Sequence, residues 1–151
     1  MDDLHISSVD SKAIENLVHD LNEKFKMKFN KLTVCKGKVH NYLGINIDYS
    51  NADYVKFTMY DFIDDVLKEA RNDMNGTLPW PADNKLFNMN CNSPRLSTED
   101  ADYFHRMTAQ LLFACKQARL EIQVGVAFLC TRVKEPTEED YRKLARVIKY
   151  L

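Results

Sequence analysis

At 151 residues, 45% hydrophobic and 28% charged, the chain has the size and composition of one globular domain or of two small consecutive ones, and it can bury a real core. Its formal net charge of −1 excludes a bulk electrostatic drive toward nucleic acid or membrane, so any affinity for nucleic acid has to come from a local basic stripe. Cys35, Cys91, Cys115 and Cys130 are scattered, with neither a C-x-x-C pair nor a histidine at ligand spacing, which argues against a zinc finger or a redox dithiol. The start, Met1-Asp2-Asp3-Leu4-His5, has no basic region followed by a long apolar run, and the longest strongly apolar stretch, around Ile122 to Cys130, is too short to span a bilayer. The expectation is an intracellular, cytoplasmic protein with reduced cysteines and no membrane partner.

Taken in chain order, Leu4-His5-Ile6 is a short strand candidate closed by Ser7 to Asp10. Asp10 or Ser11 then caps a helix whose apolar residues Ile14, Leu17, Val18, Leu21 and Phe25 recur at helical spacing. Leu43, Ile45, Ile47 and Tyr49 alternate with polar residues or glycine, and so do Val55, Phe57 and Met59. With Ser50-Asn51-Ala52-Asp53 between them, the two runs predict a hairpin closed by a four-residue turn. A second helix carries Phe62, Ile63, Val66, Leu67 and Ala70 on one face and ends by Gly76. From Thr77 to Leu96, three prolines and several asparagines predict a long extended connection, with Trp80 pinning it to the core. Ser97 opens a helix with Phe104, Met107, Leu111 and Cys115 facing inward, and a short buried helix follows near Glu121 to Cys130. Thr137 caps the last helix, whose apolar face is Tyr141, Leu144, Val147, Ile148 and Leu151. The fold class is therefore α+β, with a mostly helical second half.

Five segments, in order, resemble the reverse transcriptase of copia-type retrotransposons. Met1-Asp2-Asp3-Leu4-His5-Ile6-Ser7 is similar to the tail of the family's Tyr-x-Asp-Asp motif, and Leu21 to Lys28 to its helix ending in a Phe-x-Met run. Tyr42-Leu43-Gly44-Ile45 resembles the Tyr-Leu-Gly hairpin that follows the palm and grips the primer. Ala118 to Gln123 lines up with a Thr-Arg-Pro-Asp-Ile segment, although here the triplet is Arg119-Leu120-Glu121. Arg146 to Leu151 resembles the Arg-Tyr-Leu ending before the ribonuclease H region, with Lys149 in an arginine's place.

The resemblance implies a partial polymerase palm with a primer-grip-like hairpin over residues 1–60. A thumb-like helix and an extended connection follow over 61–96, and a helical connection toward ribonuclease H over 97–151. It implies that Asp2 and Asp3 are catalytic carboxylates holding magnesium (Mg2+), a hard ion suited to oxygen ligands. It also implies that Tyr42, Leu43 and Gly44 contact nucleic acid, Gly44 allowing close approach because it has no Cβ. The basic run Lys24, Lys26, Lys28, Lys31, Lys36 and Lys38 flanks that hairpin; it could face phosphates, but such a run is more often a solvated face. The implied partners are an RNA template and a DNA primer, with upstream palm and fingers and a downstream ribonuclease H region completing the parent enzyme. Because the chain starts inside the catalytic motif, a shortened copy inactive by itself is the expectation. A non-catalytic retroelement remnant that binds protein or nucleic acid is the alternative, and an unrelated α+β binding domain is a third.

Overall fold

The structure, a computed structural model, describes residues 4–25 and 32–151. Asp2, Asp3, Lys26, Lys28 and Lys31 lie outside the described residues. The fold is α+β, and the chain divides into two compact units, residues 1–56 and 57–151.

The first unit begins with an irregular segment in place of the expected strand at Leu4 to Ile6, because no described strand offers it a ladder. Asp10 has extended backbone, and its carboxylate accepts the Lys12 N–H at 2.9 Å, which starts α1 (Ser11–Lys24) where expected. Ile14, Val18 and Leu21 are half-buried, Leu17 and Phe25 are exposed, and no residue of α1 is fully buried.

The hairpin differs from expectation. β1 (Val39–Tyr42) pairs antiparallel with β2 (Ile45–Asp48), and Leu43-Gly44 is the two-residue turn between them. Leu43 and Gly44 sit at φ 51° and 77°, the conformation whose twist matches the flanking strands. The period-two pattern through 43–49 masks this turn, since leucine rarely takes a left-handed backbone and fits the alternation as a strand residue. The second expected strand shrinks to β3 (Lys56–Thr58), and the sheet order is β1-β2-β3. Residues 50–53 do turn as expected: the Ser50 N–H bonds Asp48 and the Asp53 N–H bonds Asn51, both at 2.8 Å. Hydrogen bonds from Ser50 hold the Asp48 carboxyl below the usual carboxylate range.

The second unit is helical and holds most of the buried apolar residues. α2 (Tyr60–Glu69) buries Ile63 and Val66, and a 3-10 turn at Asn72–Met74 buries Met74. α3 (Thr98–Gln117) starts at Ser97, whose Oγ accepts the Asp100 N–H, and it buries Phe104, Met107, Leu111 and Cys115 as the spacing predicts. Between α2 and α3, the Arg71 guanidinium lies 4.2 Å over the Tyr103 ring and 2.6 Å from the Asp100 carboxylate. That contact, with Ser97 behind it, draws the Asp100 carboxyl below its ordinary range. A 3-10 turn at Leu120–Ile122 leads into α4 (Gln123–Arg132), which buries Gly125, Val126 and Leu129 but leaves Val124 exposed. At Gly125 a Cβ would stand 3.2 Å from Val147 Cγ2, so the missing side chain lets α4 approach α5 closely. α5 (Glu138–Tyr150) begins with a full capping box between Thr137 and Asp140, and buries Leu144, Val147 and Ile148.

The connection from Thr77 to Leu96 is irregular, as expected, but Trp80 does not pin it: the indole is 70% exposed. Flanking prolines fix the backbone there, and the anchors are elsewhere. Leu86 is buried, Phe87 meets Phe128 edge-on at 5.8 Å, the Leu78 N–H bonds Lys149 O, and Arg95 bridges Thr137. Burial pushes the Cys115 and Cys130 thiols up, whereas Cys35 and Cys91 are exposed. Thiol titration of the native protein is therefore expected to show Cys35 and Cys91 reacting rapidly, with Cys115 and Cys130 following only on unfolding.

Candidate nucleic-acid interface

The β1–β2 hairpin gathers the described residues that the sequence singled out. Its register pairs Val39 with Asp48, His40 with Ile47, Asn41 with Asn46 and Tyr42 with Ile45. The Tyr49 N–H bonds Lys38 O at 2.7 Å and carries the ladder one pair further. Side chains of opposed residues share a face. One face holds Asn41 and Asn46, whose side chains hydrogen-bond at 2.9 Å, with the Asn41 amide donating. The other holds His40, Tyr42, Ile45, Ile47 and Tyr49, and both isoleucines are buried.

At the tip, Leu43 is the one non-glycine among the described residues at positive φ, and its side chain is 55% exposed. A Cβ at Gly44 would meet nothing within 4 Å, so the tip is open. Neither packing nor turn chemistry accounts for a leucine here. Asparagine is the ordinary first residue of an x-Gly turn of this type, and a leucine in left-handed conformation costs about 1–2 kcal/mol. Strain of this kind gathers where a side chain has a job other than folding. Leu43→Asn is accordingly expected to stabilise the hairpin by about 1 kcal/mol, read as slower amide exchange over residues 39–48.

Behind the tip lies an aromatic cluster that the sequence did not reveal. The His5 ring stands 5.6 Å from Tyr42, 5.9 Å from His40 and 6.3 Å from Tyr49, nearly parallel to the last at 6°. His40 meets Tyr49 edge-on at 6.2 Å, and its Nε2 is 2.8 Å from the Gly37 carbonyl. His40 and Tyr49 could have been found from strand parity with Ile45 and Ile47, given the right turn. Nothing in the local sequence pattern marks His5 as a member of this cluster, since its partners lie more than thirty residues along the chain.

Lys36 and Lys38 are exposed beside β1, with Lys36 3.7 Å from Glu15. In the second unit, Arg119 and Glu121 form an ion pair, and Arg119 lies 5.7 Å over the Tyr150 ring. Burial raises the Glu121 carboxyl, but the Arg119 hydrogen bond and charge outweigh it and leave it below its ordinary range. Among the described residues, no three His, Cys, Asp or Glu side chains gather where they could hold a metal ion. None of the described helices is long and apolar enough to cross a membrane.

All 151 residues align, at 25% identity, with a protein of Saccharomyces cerevisiae whose name assigns it to the transposon Ty5-1. The chain is a distant relative of a retrotransposon protein. It spans 46% of that relative's length. No protein-family model matches the chain, and no solved structure matches it. The alignment covers both units, so the aromatic hairpin and the helical unit belong to the retroelement-related sequence alike.

Proposed function

We propose that the chain is a retroelement-derived portion of a copia-type reverse transcriptase, an RNA-directed DNA polymerase that copies a retrotransposon's RNA for transposition and integration. In this reading the hairpin tip Tyr42-Leu43-Gly44 contacts the primer strand of an RNA template–DNA primer duplex. The observation that carries it is Leu43: an exposed leucine, held left-handed at an open tip, that nothing in the fold requires. A backbone with room beyond Gly44 and an apolar side chain beside it suit close contact with a sugar–phosphate strand, and Lys36 and Lys38 supply charge for phosphates.

Asp2 and Asp3 are the carboxylates assigned to Mg2+. Hard oxygen donors of this type fit the ion, which would stabilise charge on the transferring phosphoryl group. A two-metal site takes more ligands than these two supply, so the parent enzyme's activity rests also on upstream palm and fingers, and a ribonuclease H region follows downstream. The cytoplasm, where element RNA would be copied, is the proposed location.

Fluorescence anisotropy on a labelled RNA–DNA template–primer tests the assignment. Binding that weakens with salt and falls several-fold in Leu43→Asn, despite that variant's greater stability, is the expected result. Equal binding by Leu43→Asn and the parent chain would contradict it. Primer extension with Mg2+ separates this reading from a purely binding remnant. The chain alone is expected to give none. Extension that vanishes in the Asp2→Asn, Asp3→Asn double variant would show that the chain suffices as a polymerase.

A further inference from the structure

We propose that the cleft between residues 80–85 and α5 binds single-stranded nucleic acid, with a base stacked on Trp80 and the neighbouring phosphate on Lys85. The inference rests on the proposed polymerase reading for the class of ligand, and it adds a second site, in the helical unit, that the reading does not include. Trp80, the single tryptophan of the chain, is 70% exposed between Pro79 and Pro81. With Asn84, Lys85, Glu121, Arg146 and Tyr150 it lines an open cavity of about 830 Å³. That volume lies in the range of clefts that take molecules of nucleotide size. An indole left in water at a rigid position is a stacking platform, since every base offers it a π-face.

The loop is built to hold the ring out. On one side the Leu78 N–H bonds Lys149 O at 2.8 Å. On the other, the Asp83 carboxylate accepts the Lys85 N–H at 2.9 Å, its carbonyl accepts the Leu86 N–H at 3.0 Å, and Leu86 is buried. With two prolines between these anchors, a stacking base orders little that is not already ordered.

Charge decides which planar ligand suits the cleft. Arg146 pairs with Asp83 at 3.0 Å and Arg119 with Glu121, so those four charges cancel. Among the described residues, no carboxylate pairs with the exposed Lys85 ammonium, which leaves the cleft one net positive charge. Arg146 also lines a second cavity, of about 230 Å³, together with Arg142 and Lys149. These three recur at i, i+4 and i+7, so the cations continue along one face of α5. Arg142 pairs there with Glu138, and Asp73 holds the Tyr141 hydroxyl; among the described residues Lys149 has no carboxylate partner. A neutral sugar would leave the free cations unanswered, and an apolar peptide would desolvate the ion pairs without replacing water. A single strand supplies both a π-face and phosphates, whereas a duplex keeps its base faces inside its own stack.

Because the chain has one tryptophan, its emission reads the site directly. Titration with oligothymidylate is expected to quench most of that emission, with an affinity that falls as salt rises. An abasic strand of equal length keeps the phosphates and lacks the bases. It is expected to bind about tenfold more weakly and to leave the emission unchanged. By anisotropy of labelled oligothymidylate, Trp80→Ala should weaken binding about fivefold or more, and Trp80→Phe, which keeps a ring, should retain most of it. Lys85→Ala should weaken binding and lower the salt slope by about one. Both side chains are exposed, so circular dichroism should show each variant folded like the parent. Equal binding by the abasic strand, emission unmoved at saturation, or a neutral glucan that quenches as strongly would overturn the site. Binding of a blunt template–primer duplex, measured beside it, separates the two assignments. No quenching by the single strand, with duplex binding still sensitive to Leu43→Asn, overturns this site alone. Quenching by the single strand, with duplex binding indifferent to Leu43→Asn, sinks the tip reading and supports this site.

Discussion

Phe104→Ala is expected to destabilise the helical unit by about 3–5 kcal/mol, the cost of emptying a large fully buried site. Phe104 has no exposed surface and sits in the cluster with Met107, Leu111, Ile122, Val126, Leu129, Leu144 and Ile148, which draws on α3, α4 and α5 together. A cavity there removes contacts from three helices at once, and the interior cannot collapse to refill it without moving whole helices. Urea unfolding followed by far-ultraviolet circular dichroism measures the change. A loss below about 1 kcal/mol would mean that the helices do not share one core. Amide exchange on the parent chain should show the same division between units. Among the described residues the first unit buries only Ile45 and Ile47 of its apolar side chains, so protection over residues 39–48 should be lost well before that over α3 and α5.

Asp140→Ala carries the second large effect, about 3 kcal/mol, because it strands a charge and uncaps a helix together. The Asp140 side chain is 3% exposed. Its carboxylate accepts Arg132 Nε at 3.2 Å and both the Thr137 N–H and hydroxyl at 2.9 Å. Removing it leaves the Arg132 guanidinium, itself 27% exposed, without its ion-pair partner and the first turn of α5 without its capping box. Adding Arg132→Met to Asp140→Ala should recover part of the loss, since the stranded charge goes too. Additive losses in the double variant would show that the pair is not coupled.

Much of the second unit was legible because local chemistry and tertiary packing agree there. Ser97 and Thr137 are helix caps in sequence and in structure, and the inward residues of α3 and α5 follow directly from their 3.6-residue spacing. Nothing local in the sequence tells that Arg132, on the preceding helix, folds back to Asp140. The sheet was harder. A glycine inside an alternating run fits either a strand or a turn, and the left-handed Leu43 is what decides between them. The unrecognised turn at Leu43-Gly44 also concealed the cluster around His5, whose partners are far along the chain and become neighbours only through the β1–β2 register. Trp80 misled for another reason: a tryptophan between prolines suggests an anchor by composition, yet the rigid backbone holds it outward. The tip residues Tyr42, Leu43 and Gly44 were picked out by resemblance, while the physical oddity of Leu43 came only from its backbone angle.

The most direct test of the account is a photocrosslink from the hairpin tip. Benzoylphenylalanine in place of Leu43 is irradiated on an RNA template–DNA primer duplex with distinguishable strands, beside the same group placed at exposed Val124 of α4 as a control. Adducts from position 43 to the DNA primer strand close to its 3′ end, exceeding those from the control, are the result predicted. Adducts no more frequent than at Val124, or confined to the template strand, would contradict the hairpin's role as the primer contact.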